Sequence, residues 1–307
     1  MRAESPTDLP KHSWWAALKR TFREFMDDNL LDWAAALTYY SVLSLFPAVI
    51  VLASVVSLVS DPDTLIENLQ QLAPGQDAVV NVAKELASSS SIAGPAAIIG
   101  LLTALWAASG YLGGFIRASN VVYDVEEGRP IWKTVPLRIA LTLTMMILLT
   151  IAAVGVVLTG GIADNVGQAL GMGSTGIVVW NIAKWPVLAV LVSLAIAILY
   201  WAAPNVRHPG FRWLTPGSAL AVLVWAAASA GFAVYVANFA SYNKVYGSLA
   251  GIVVFLIWLW LSNLAILFGA EFDAELARGK EMAQGLPESE EPFLPPRDTR
   301  ASPPSRD

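Results

Sequence analysis

The chain contains no cysteine. Disulfide frameworks, thiolate metal sites and thiol nucleophiles are therefore excluded. Histidine is nearly absent: His12 and His208 are the only two, on segments that read as different loops. A zinc site with several nitrogen ligands is not expected from so few. Charge is scarce as well. Asp, Glu, Lys and Arg make up 14% of the 307 residues, where a soluble domain carries about 25%. The net charge is −5, with no basic excess to favour nucleic acid. No P-loop occurs, so direct drive by ATP is not expected. No apolar run follows a short basic region in the first 30 residues, so no cleavable signal peptide is expected. The expected inventory holds no cofactor, no metal and no catalytic residue.

Apolar residues are abundant, at 56% of the chain, and mean hydropathy is +0.57. Lipid is the solvent that suits this composition. A membrane-spanning helix needs about 20 mostly apolar residues. Stretches free of charge lie at 33–60, 86–116, 139–163, 185–206, 213–243 and 245–270. They predict an all-α integral membrane protein with six transmembrane helices, at about 33–60, 95–116, 137–160, 177–203, 214–240 and 247–271. Basic residues tend to stay on the cytoplasmic side. With the N-terminus inside, only Lys84, Lys184 and Lys244 of the 19 Lys and Arg residues fall outside or in the outer half. Both termini are thus expected in the cytoplasm, in a bacterial inner membrane.

Other segments carry different patterns. Residues 1–30 form a cytoplasmic arm. Within it, Trp14, Leu18, Phe22 and Phe25 recur at helical spacing over 13–28, behind Ser13 as N-cap. That helix lies in the membrane plane or packs on the bundle. Residues 61–94 read as two short amphipathic helices on the outer surface. The glycine-rich stretch 165–176 reads as a loop. From 279 to 307, six prolines among Glu and Ser predict a disordered tail.

Polar side chains inside hydrocarbon are costly and usually face the bundle interior. They are the pointers to function, with helix packing as the plain alternative. The first span holds Thr38, Tyr39, Tyr40, Ser41 and Ser44 before Pro47, with Asp32 at its mouth. The second ends with Ser109 and Gly110 through Gly114 to Arg117 and Asn120. The sixth starts at Gly247 and Gly251, holds Asn263 and ends at Glu271. Gly110 with Gly114, and Gly247 with Gly251, are GxxxG pairs that permit close helix approach. The proposed orientation places Asp32, Arg117, Arg138 and Glu271 near the cytoplasmic boundary, where they read either as an ion-pair gate or as interface anchors. Asp32, Tyr39, Tyr40, Ser109, Arg117, Asn120, Asn263 and Glu271 are the candidate transport or gating residues. Lys184 lies between Trp180 and Trp185 in an apparent outer aromatic belt; it snorkels to the interface or attracts an anion.

Four runs carry a family resemblance. They are Asp32-Trp33-Ala34-Ala35-Ala36-Leu37-Thr38-Tyr39-Tyr40 leading to Ser44-Leu45-Phe46-Pro47; Ala104-Leu105-Trp106-Ala107-Ala108-Ser109-Gly110 through Asn120 and Tyr123; Pro204-Asn205 followed by Trp213-Leu214-Thr215-Pro216-Gly217; and Tyr246-Gly247-Ser248-Leu249-Ala250-Gly251 through Trp258, Asn263 and Gly269-Ala270-Glu271. In that order, over roughly residues 15–278, the chain resembles the YihY/BrkB family of bacterial inner-membrane proteins. The resemblance implies six membrane helices, and serum resistance or movement of a lipopolysaccharide precursor in related proteins. It also brings a ribonuclease BN label, which the residues oppose: no HxHxDH-type run exists to hold a catalytic metal. The expectation is a transporter or flippase of a lipid-like or anionic solute, with membrane lipids as partners. A membrane scaffold for envelope biogenesis is the alternative, and homo-oligomerisation is left open. Deleting residues 280–307 would separate the two, since only a scaffold should need a disordered tail.

Overall fold

A computed structural model describes residues 11–59, 95–157, 174–208, 210–238, 248–287 and 290–302. Among them are seven α-helices: α1 Lys11–Asp27, α2 Leu30–Val59, α3 Pro95–Val122, α4 Ile131–Val157, α5 Ser174–Ala202, α6 Pro216–Asn238 and α7 Ser248–Ala283. The described residues contain no strand, only one isolated bridge between Val206 and Pro296. Four helices hold stretches long and apolar enough to cross a membrane: Ile131–Ala152, Val178–Ala202, Pro216–Ala237 and Gly251–Ala283. Large apolar side chains stand exposed along them, among them Ile147, Val190, Leu223 and Ile252. Water would penalise such a surface and lipid does not. The expected outer helices within 61–94 and most of the loop at 165–176 lie outside the described residues.

Local chemistry sets the helix ends. α1 begins at Lys11, ahead of the expected cap at Ser13, and includes His12, which is helical rather than on a loop. It stops where Asn29 adopts φ 53°, a left-handed conformation that Asn tolerates. Asp124 at φ 51° ends α3 in the same way. α6 starts on a reciprocal cap. The Ser218 N–H donates to Thr215 Oγ1 at 3.0 Å, and the Thr215 N–H donates to Ser218 Oγ at 3.0 Å. Pro216 sits at the first helical position, where its missing N–H costs nothing.

Contacts divide the chain into two compact units, residues 39–113 and the remainder. In the first, Tyr39 and Tyr40 meet edge to face at 5.6 Å. A Cβ on Gly110 would lie 3.8 Å from the Tyr40 ring, an ordinary contact. Ser109 is fully buried and donates to the Trp106 carbonyl at 2.6 Å, a satisfied helix-internal bond. Pro47 lies within α2.

In the second unit α6 runs against α7. Trp225 Nε1 donates to Ser262 Oγ at 3.0 Å, and Trp258 Nε1 to Ser229 Oγ at 3.2 Å. The closest approach is at Gly217 and Gly269. A Cβ on Gly269 would fall 2.4 Å from the Gly217 carbonyl oxygen and 2.6 Å from the Tyr200 hydroxyl. Gly251 has nothing within 4 Å of such a Cβ, and Gly247 lies outside the described residues. Gly114 is buried in α3.

α1 packs on the C-terminal half of α7. Ala17, Phe272 and Leu276 form a small core with Trp14 and Leu18 around it. Phe22 and Phe25 meet Phe268 at 5.0 and 5.7 Å. Of the two expected forms of this helix, packing on the bundle is the one observed. Trp15, Phe22 and Met26 remain largely exposed beside this contact.

The proline-rich tail departs from the expected disorder. α7 runs on to Ala283, and residues 290–302 pack against the helix ends. Phe293 and Leu294 are buried. Phe293 stacks on Tyr123 at 5.7 Å, with the Arg278 guanidinium 4.8 Å from its ring. Composition argues for disorder only when a segment has nothing to bury. Here two adjacent apolar side chains find a prepared pocket.

Candidate functional site

Charge concentrates where α1, α3 and α7 end. Glu275 sits one turn beyond Glu271 on α7 and is 1% exposed. Arg20 of α1 donates its Nε to Glu275 Oε2 and, at 3.2 Å, its Nη2 to the Glu275 carbonyl. Arg278 is also buried. Its Nη2 lies 2.9 Å from Asp124 Oδ2, and its Nε 3.2 Å from Glu275 Oε1. Glu271 is 1% exposed, and its Oε2 has no hydrogen-bond partner among the described residues. The charges that act on it are Asp28, Glu275, Glu24 and Asp124.

Asp28 and Asp124 sit outside the helices at this end. Burial pushes the Asp28 carboxyl up to about 7, and Asp124, Glu24 and Asp27 push the same way against Arg278. Asp124 is raised to about 6, again by burial first and then by Glu291. A carboxyl raised on folding adds stability below its unfolded pKa and loses it as pH rises through its folded pKa. For Asp28 that window runs from the ordinary 3.8 to about 7. The melting temperature of detergent-purified protein is therefore expected to fall between about pH 4 and 7. Asp28→Asn should flatten this slope, and an unchanged slope would remove Asp28 from the cluster.

The sequence-predicted residues are distributed as follows. Glu271 is central. Asp32 is exposed at the start of α2, and Arg117 is exposed on α3. The cations in the cluster are instead Arg20 and Arg278, which the sequence does not single out. Their signal was present: both stand at helical positions beside acids, but only the fold aligns α1 with α7. Asn263 donates to Thr38 Oγ1 at 3.1 Å, and Thr38 donates to the Ala34 carbonyl at 2.8 Å. Both are buried, so α2 and α7 meet through a polar contact inside the bundle. Lys184 is 5% exposed on α5, with its ammonium 5.5 Å from the Trp185 ring.

Asn120 belongs to a second network with Asn205. Asn120 Oδ1 accepts the Asn205 N–H at 2.8 Å, and its Nδ2 donates to Glu127 Oε2 at 3.0 Å. Asn205 Nδ2 donates to the carbonyls of Glu126 at 3.0 Å and Asp298 at 2.7 Å. Its Oδ1 accepts the Asp298 N–H at 3.1 Å. Arg129 clasps Glu127 with two bonds of 2.7 and 2.6 Å and donates to the Ala203 carbonyl at 2.8 Å. Burial would raise the Glu127 carboxyl, but the Arg129 hydrogen bonds hold it below its ordinary value. Lys133 reaches Asp298 at 2.8 Å. Hydrogen bonds from Arg300 and Lys133 hold the Asp298 carboxyl far below the usual range. Asn205 thus locks three segments together: the α3–α4 turn, the turn after α5 and the tail.

A small cavity of about 100 Å³ opens beside α6 and α7. Tyr200, His208, Arg212, Asp273, Lys280 and Leu294 help to line it. Asp273 Oδ1 accepts the Gly217 N–H at 2.7 Å, at the positive end of α6. Burial holds the His208 imidazole down to about 4, with Arg297 adding to the effect against a backbone hydrogen bond to Tyr200.

The comparisons with known proteins cover most of the chain. A ribonuclease-like protein of Bacillus subtilis, YfkH, is 29% identical over 273 residues, 88% of this chain and 98% of the relative. A UPF0761 membrane protein of Alkalilimnicola ehrlichii is 31% identical over 265 residues, 82% of this chain. The match spans about half of that longer relative, 56% of its length. Another UPF0761 membrane protein, from Alteromonas mediterranea, is 29% identical over 83% of this chain and 85% of its own. No solved structure matches. The family description of virulence factor BrkB matches residues 21–292, which hold α2 to α7 and the carboxylates of the acidic cluster. The chain is a membrane protein of the virulence factor BrkB family.

Proposed function

We propose that the protein crosses the inner membrane six times with both termini in the cytoplasm, and that it moves an anionic or lipid-like solute without ATP. The charge-free stretches within α2 and α3 supply two spans beyond the four apolar helices already described. α7, with 36 residues, is about 54 Å long at about 1.5 Å per residue. That exceeds the roughly 30 Å of hydrocarbon and leaves its charged end outside. The observation that carries the transport reading is Glu271. A fully buried carboxylate with an unpartnered oxygen among other acids is a poor way to hold helices together. It suits a group that binds and releases a proton as solute moves.

The test uses liposomes reconstituted with the full chain and NBD-labelled phosphatidylglycerol. Dithionite bleaches label in the outer leaflet, so transport exposes the inner pool. Wild type is expected to bleach the inner pool, with and without an imposed pH gradient at different rates. Glu271→Gln should slow bleaching at least tenfold. Bleaching equal to that of empty liposomes under both conditions would overturn the reading for this class of solute.

The exposed Trp15, Phe22 and Met26 face of α1 favours the scaffold as a second reading. Polar substitution of all three should abolish an envelope phenotype if docking is the function, and leave it intact if transport is. The ribonuclease-like name of the Bacillus relative adds a hydrolytic reading that we do not carry over. RNA cleavage by purified protein, lost on chelation, would restore it.

A further inference from the structure

We propose that residues 290–302 are a displaceable strap that closes the charged end of α7, and that its docking controls access to Glu271. The buried ionisable groups of α7 stand one turn apart in a row: Glu271, Glu275 and Arg278. Glu271 lies farthest from the helix end at Ala283, and Arg278 lies nearest. Two partners of Arg278 come from the helix bundle side, Asp124 and Glu275. Two more come from the strap. The Phe293 ring lies 4.8 Å from the guanidinium, and Glu291 Oε1 is 3.6 Å from Nη2. Arg278 and Phe293 are each 5% exposed, so each helps to shield the other. Lifting Phe293 would wet the guanidinium. Its ion pairs would then weaken in water and salt, and the row would open toward Glu271.

The strap is held as a bound peptide is held. It is not helical, and it bridges Val206 through Pro296. The Arg207 N–H donates to the Pro295 carbonyl at 3.0 Å. The Arg297 N–H donates to the Asn205 carbonyl at 2.7 Å, and the Ala301 N–H to the Gly128 carbonyl at 2.9 Å. Phe293 and Leu294 supply the buried side chains. Main-chain bonds for affinity and side-chain pockets for register are how extended peptides bind reversibly. Asp298 adds ion pairs to Lys133 and Arg300, both exposed cations, which salt weakens. The family match ends at residue 292, just before Phe293, as expected of an appended control segment.

This inference rests on the reading of Glu271 as an exchanging carboxylate for its consequence. Access to the carboxylate is read chemically, without transport, so the strap and the transport reading fail separately.

A protease site inserted after Gly285 tests the strap. Gly285 is exposed and has nothing within 4 Å of an added Cβ, so the insertion should leave the strap seated. The full chain is folded and purified first, then cut and washed in high salt, with loss of the tail checked by intact mass. A water-soluble carbodiimide with glycine ethyl ester labels accessible carboxyls, and peptide mass spectrometry reads the sites. Asp27, exposed on α1, is the internal standard. Glu271 and Glu275 are expected to label at least tenfold faster after cutting and washing than before. A synthetic peptide of residues 290–302 should restore slow labelling, and the same peptide with Phe293→Ser and Leu294→Ser should not. The uncut Phe293→Ser chain, which keeps the Asn205 bonds, should label Glu275 faster as well. Equal rates before and after cutting, or fast labelling that the unaltered peptide does not slow, would overturn the strap.

Discussion

Gly269→Ala is expected to prevent α6 from seating on α7, seen as loss of a monodisperse peak from detergent-purified protein. The added Cβ would sit 2.4 Å from the Gly217 carbonyl oxygen, 2.6 Å from the Tyr200 hydroxyl and 2.8 Å from Ala221 Cβ. Two of these neighbours are fixed. The Gly217 backbone belongs to a helix start capped by Thr215 and Ser218, and Ala221 Cβ has no rotamer to change. The Tyr200 hydroxyl is itself tied to the Ile266 carbonyl. Overpacking against yielding side chains costs about 1–3 kcal/mol; against backbone we expect about 3 kcal/mol or more. Gly217→Ala should behave alike, because its Cβ would lie 2.1 Å from the Gly269 carbonyl oxygen. Gly251→Ala is the control. Nothing lies within 4 Å of its Cβ, so its melting temperature should match wild type or exceed it slightly. A stable Gly269→Ala variant would mean that the two helices do not meet at these glycines.

Asn205→Ala is expected to release the C-terminal segment and to lower stability by about 3 kcal/mol, counting about 1 kcal/mol for each of the side chain's lost bonds. The Asn205 side chain reaches the carbonyls of Glu126 and Asp298 and accepts the Asp298 N–H. No neighbour is placed to replace it, since the residue is fully buried. Trypsin reads the effect directly. Arg297 and Arg300 should resist cleavage in wild type and be cut early in the variant. Arg297 is further held by bonds to the Val206 and Trp201 carbonyls at 3.2 and 3.0 Å. Cleavage at equal rates in both proteins would mean that the tail is not locked by Asn205. The same packing changes what a tail deletion reports. Removing residues 280–307 strips Phe293, Leu294 and Asp298 from the helix ends, so loss of phenotype no longer separates a scaffold from a transporter.

The acidic cluster shows how far a sequence carries the site. Glu271 was visible because a carboxylate closing an apolar run is conspicuous. Asp32, chosen for the same reason, is exposed and is not among the groups that act on Glu271. A helix places successive residues at different angles around its axis. Which face turns inward is set by neighbours that the local run does not name. Arg20 and Arg278 lie 258 positions apart in the chain and meet on Glu275 because α1 lies along α7. The GxxxG pairs were legible as small-residue patterns. The contact that closes the α6–α7 pair uses Gly217 and Gly269 instead, one from each helix, and no local spacing links them.

What the sequence determined by itself is the solvent and the helical state. Long runs without charge, no cysteine and few histidines leave membrane helices as the structure that satisfies every backbone hydrogen bond without water. Membership of the BrkB family was also legible, since it rests on ordered motifs along the chain. Only the tertiary structure decided that the proline-rich tail is packed, that Asn205 joins three segments, and that Arg20 and Arg278 rather than Arg117 serve the acidic cluster. Burial of a residue is a property of its partners, and those partners come from distant parts of the chain. Composition reports how much a segment has to bury, and the fold alone reports whether a place exists to bury it.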